Sequence, residues 1–179
     1  MSDWALISES TASGASSVEF TDLTGYKIFK FVFIDVHAGT NTALFHFQVG
    51  SGYNTTVTST YFDADHRQDG SGGSLQYVAD KDQAQGTAYQ VLTAENDSTA
   101  SSSASGELLI FDPASTTYVK HWYSTFNTRT LLGGSSHQLT YNSFAAGYFN
   151  TTSAITQAKF KMETGTFDGT IKSYGLVAT

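Results

Sequence analysis

Tyr26-Lys27-Ile28-Phe29-Lys30-Phe31-Val32-Phe33-Ile34-Asp35-Val36 is the stretch that decides the fold class. Its apolar residues are β-branched or aromatic, the types that fit a pleated sheet, and they recur with a period of two. The alternation predicts Phe29, Phe31 and Phe33 on one face and Ile28, Val32, Ile34 and Val36 on the other. A strand that is apolar on both sides is covered on both sides. A second sheet is expected over one face, and a neighbouring chain or a loop over the other.

Working outward, the same grammar repeats. Val18 and Phe20 alternate with polar neighbours, as do Ala43, Phe45, Phe47 and Val49. Ala158, Phe160 and Met162 are predicted inward, with Lys159 and Lys161 outward. Thr170 to Leu176 forms a last strand. Between these runs lie turn residues: Gly50-Ser51-Gly52, Asp112-Pro113, Gly133-Gly134-Ser135-Ser136 and Gly165 to Gly169. Residues 80–95 also admit a helix with Ala84, Ala88, Val91 and Glu95 on one side, which Gly86 and Thr87 weaken. Roughly eight to eleven short strands without a convincing amphipathic helix predict an all-β protein, an antiparallel β-sandwich of jelly-roll type. We expect an amino-terminal arm over residues 1–14 and a single sandwich domain over 15–179.

Composition narrows the function. The 179 residues carry 22 Ser, 25 Thr, 13 Phe and 10 Tyr, so the aromatic content excludes bulk disorder. With no Cys there is no disulfide framework, thiolate metal site or Cys nucleophile. A net charge of −7 with nine scattered basic residues argues against nucleic acid as a partner. No apolar run approaches the roughly 20 residues of a membrane-spanning helix. The amino terminus lacks a basic and then apolar leader, so synthesis and assembly in cytoplasm are expected.

Chemistry-bearing motifs are sparse. Asp63, Asp65 and Asp69 precede Gly70, but an EF-hand loop fails because Arg67 and Ser74 occupy its fifth and twelfth positions. An irregular calcium loop is the alternative there; a solvated loop is the plainer reading. The five His lie on separate segments without metal-ligand spacing. There is no nucleophile elbow, no phosphate-binding loop and no recognisable acid/base carboxylate pair. No catalytic residue, metal site or cofactor is expected. Trp122 and Tyr123 are candidate contacts to a glycan or a neighbouring subunit, because an aromatic face covers the apolar face of a sugar. Trp4 is a candidate for docking the arm on its own domain or on a neighbour.

Several segments together resemble a known group. They are Trp4-Ala5-Leu6-Ile7, then Ser16 to Leu23, the strand from Tyr26, Gly106-Glu107-Leu108 to Pro113, Thr116-Thr117-Tyr118, and Gly169 to Leu176. Their order resembles the jelly-roll structural proteins of tailed bacteriophages, especially marine and cyanobacterial phages. Where members usually carry Leu-Tyr-Gly near the end, this chain has Ser173-Tyr174-Gly175. The resemblance implies a virion protein without catalytic residues. It would be a homotrimer that decorates and cements the head by binding the major capsid protein or other virion proteins. The alternative it implies is a tail fibre or tip module that binds host glycans. A hydrolase acting on surface polysaccharide is the third reading, and it lacks an acid/base pair.

Overall fold

The computed structural model describes residues 3–131 and 138–176. Followed along the chain, its strands step back and forth between a large and a small sheet. β1 (Trp4–Ala15) is in the large sheet, β2 (Val18–Phe20) in the small, β3 (Ile28–Ala38) in the large and β4 (Phe45–Val49) in the small. β5 (Val57–Arg67), β6 (Gly73–Tyr77) and β7 (Ala84–Gly86) return to the large sheet, and β8 (Gln90–Val91) to the small. β9 (Ala104–Phe111), β10 (Lys120–Leu131) and β11 (Gln138–Phe149) are large-sheet strands; β12 (Ala158–Met162) is small and β13 (Phe167–Leu176) large.

The large sheet runs β1-β13-β3-β9-β10-β11-β5-β6, with β7 also on β5; the small one runs β2-β12-β4-β8. Every pairing is antiparallel. This winding is that of a jelly-roll-like β-sandwich whose large sheet is extended by β10, β11, β5 and β6.

The stretch 1–14, expected as an arm, supplies most of β1, which is an integral edge strand paired with β13 from Trp4↔Leu176 to Ala15↔Phe167. The helical alternative for 80–95 gives way to one 3-10 turn, Ala79–Lys81, followed by β7 and β8. The loop expected over Gly133–Ser136 lies outside the described residues.

Phe29, Phe31 and Phe33 point inward and are at most 1% exposed, while Ile34 points outward. Val36 departs from the simple alternation, being fully buried on the Phe face. The cause is a β-bulge: register shifts fall between Phe33 and Val36 against β9 and between Asp168 and Thr170 against β13. Asp35 is the extra residue, with φ of 53°. Gly169 faces it at φ of 138°, and a Cβ there would lie 2.9 Å from the Asp35 carbonyl oxygen. Only glycine fits that crossing without strain.

Between the sheets the core is largely aromatic, and Phe160 of β12 is its hub. Its ring centroid lies 5.0 Å from those of Phe31 and Phe33, 6.1 Å from Phe20 and 6.3 Å from Phe45 and Phe47. The inward placement of Ala158, Phe160 and Met162 is as the alternation predicted. Removing the hub leaves a cavity that five rings cannot jointly fill. Phe160→Ala is expected to cost about 3–5 kcal/mol, read as a lowered urea midpoint and a Tm reduced by about 10 °C.

Candidate functional site

The inner face beyond the small sheet is polar rather than aromatic. There the Tyr61 hydroxyl donates to Ser143 Oγ at 2.8 Å, and the Ala94 backbone N–H donates to the same oxygen at 3.0 Å. Asp63, 2% exposed, accepts from Gln76 Nε2 at 3.0 Å and lies 3.7 Å from Lys81 Nζ. Lys81 also sits 4.6 Å above the Tyr61 ring. Burial pushes the Tyr61 phenol well above its ordinary range. Burial likewise lowers the Lys81 ammonium, against the opposing pull of Asp63. Each group answers another, so the cluster reads as an internal brace.

The Asp63–Gly70 segment does not assemble a calcium cradle. Asp63 is committed to Gln76 and Lys81, Asp65 accepts from the Ser74 hydroxyl, and Asp69 accepts from the Ser71 backbone N–H at 2.9 Å. Among the described residues no group of three or more His, Asp or Glu side chains is placed to hold a metal ion. A shallow depression of ≈ 370 Å³ is lined by His66, Gln68, Arg129, Gln138, Leu139 and Thr140. Its guanidinium already donates to Ser101 and Ser102.

The feature that stands apart is the outer face of the large sheet. Of the eight exposed large apolar side chains among the described residues, all but Tyr118 lie on it: Trp4, Leu6, Ile34, Phe62, Leu75, Tyr77 and Tyr123. Strand register aligns them in rows. One runs from Leu6 through Tyr174, Lys30, Leu109, Tyr123 and Ala146 to Thr60. The next runs from Glu9 through Lys172, Val32, Glu107, Thr125, Phe144 and Phe62 to Tyr77. Phe62 and Phe144 stack at 5.0 Å with their planes 14° apart, and Phe111 lies 5.9 Å from Tyr123.

The charges in these rows are paired within the face. Lys30 Nζ is 3.3 Å from Glu107 and 4.9 Å above the Trp4 ring; Lys172 Nζ is 3.0 Å from Glu9.

The three residues singled out from sequence are not brought together. Trp122 is 2% exposed and packs in the core, 4.9 Å from Phe47 and 6.2 Å from Phe149, so it cannot contact a sugar or a subunit. Its neighbour Tyr123 points to the opposite side and is 43% exposed. Trp4 lies on the outer face under Lys30, at the end of an ordered strand. Sequence reasoning missed Leu6, Phe62, Leu75 and Tyr77 as members of this surface. Their signal was alternation with polar residues, which does not say which side faces a partner.

Comparison with protein-family models, with curated proteins and with solved structures finds no match. The class defined by the fold and this face is a jelly-roll-like β-sandwich with one wide apolar sheet surface. Among the described residues no helix is long and apolar enough to cross a membrane.

Two further groups set how the domain responds to acid. The carboxylate of Asp97 accepts from Thr99 N–H, Ser102 Oγ and Leu131 N–H at 2.6–2.7 Å. Burial pushes its pKa up, but these hydrogen bonds win and it is lowered. His46, on the outward side of β4, has an Nε2 without a hydrogen-bond partner. Burial, with a contribution from Lys161, pulls the imidazole down to about 4.

Since the unfolded imidazole titrates near 6.5, the unfolded chain binds the proton first on acidification. The stability that neutral His46 confers is therefore complete above about pH 6.5 and falls as pH drops toward 4. The protein is expected to lose on the order of 2–3 kcal/mol across that window, and His46→Gln to flatten the fall. Urea unfolding followed at several pH values checks this. An equal pH dependence in the variant would refute the assignment to His46.

Proposed function

We propose that the chain is a non-enzymatic structural protein of a tailed-phage particle. On this reading it is a head decoration or cement protein that binds the capsid surface as an oligomer, in the first instance a homotrimer. The observation that carries it is the outer face of the large sheet, an apolar and aromatic surface that no part of the described chain covers. Large uncovered apolar patches mark association sites. The resemblance to phage jelly-roll proteins supplies the context, and the reading needs no cofactor, nucleic acid or membrane.

One observation favours a second reading, a tail fibre or tip module that binds host glycans. Phe111 and Tyr123 present neighbouring rings on the exposed face, a geometry that suits stacking on a pyranose.

The two separate on particles. Copy number and density at regular lattice positions on purified heads are expected for decoration; a handful of copies confined to the tail would end that reading. For the glycan reading, array binding must exist and be abolished by Tyr123→Ala.

A further inference from the structure

We infer that the outer face of the large sheet is an interface with a second copy of this chain. The inference deepens the reading above, resting on it for the claim that copies associate, and it names which surface does so.

Charge is the first argument. The chain carries −7 overall, so most pairs of surfaces on two copies repel each other. In the rows that begin at Trp4, Leu6, Glu9 and Thr11 the charged residues are Lys30, Lys172, Glu9 and Glu107, joined by the exposed bulge residue Asp35 beside Ile34, so this face carries only −1 of the total. Each cation is already paired inside the face. A surface so nearly neutral meets a second copy of this chain with little of the like-charge penalty that the rest of an acidic surface brings.

Area is the second argument. The eight strands from β1 to β6 span seven spacings of about 4.8 Å, hence about 34 Å, and four rows of side chains extend about 20 Å along them. The product, about 700 Å², is close to the roughly 800 Å² that each partner contributes to a stable protein interface. A single sugar ring covers only a small part of such a surface. The exposed aromatic near its centre, Tyr123, is the kind of residue that anchors protein interfaces.

Sedimentation of the full chain tests the inference, with far-UV circular dichroism and Tm confirming that each variant is folded. At about 50 μM the protein is expected to sediment as an oligomer, and Tyr123→Glu to weaken association by about 100-fold. Tyr118→Glu supplies the control: Tyr118 is 72% exposed but lies off this face, and its substitution leaves the mass unchanged. Lys30→Glu is expected to weaken association by unbalancing the face, and Glu107→Lys in the same chain to restore it.

A persistent monomer at that concentration overturns the inference. So does an oligomer equally indifferent to Tyr123→Glu and Lys30→Glu. A monomer found at lattice positions on heads leaves decoration standing and removes this inference. An oligomer held by this face but absent from heads does the reverse.

Discussion

Among the described residues nine strands fall in one sheet and four in the other, and this inequality is the constraint from which the rest of the structure follows. Where the small sheet lies over the large one, the interior is filled by interlocking Phe rings centred on Phe160. Where it does not, the inner face changes character. Tyr61, Asp63 and Ser143 occupy that region, and Lys81, Gln76 and Ala94 are brought to them by the 3-10 turn, β6 and the segment after β8. A buried carboxylate is tolerated there because both its oxygens have partners. The core thus grades from an aromatic centre to a hydrogen-bonded flank.

The outer face poses the opposite problem. A sheet with one solvated face ordinarily alternates apolar-in with polar-out. Here β3 places Ile28, Val32 and Ile34 outward, β13 adds Tyr174 and Leu176, and the extension adds Tyr123, Phe144 and Phe62. Both of its lysines are paired with glutamates within the face. Such a face is costly to leave in water, so its persistence across these five strands points to a covering partner.

Much of this was legible in the sequence, and the failures have physical reasons. The parity of Phe29, Phe31 and Phe33 and of Ala158, Phe160 and Met162 is local, and local alternation reads it correctly. Val36 misleads because the bulge at Asp35 depends on Gly169, which lies far along the chain and meets it only across the sheet. Trp122 and Tyr123 are adjacent aromatics of equal promise in sequence. The inner side of β10 is fixed by Trp122 pairing opposite Ile110 on β9, and that register is not local information. Leu6, Phe62 and Tyr77 fall on one surface only because β1, β5 and β6 share the large sheet, a matter of strand order that periodicity does not encode.

The edges explain why a face, rather than a strand margin, is the surface left for association. β1 ends the large sheet on one side, and register shifts after Leu6 and after Ala12 break its ladder, with Gly14 at φ of 58° turning the strand. β6 ends the other side with only five residues, beginning at Gly73. Interrupted and short edges are poor templates for adding a foreign strand. In the small sheet β2 spans three residues and β8 two, shorter still. Backbone pairing between copies is therefore disfavoured at these four edges, and the apolar side chains of the large sheet remain as the surface on which contact is gained.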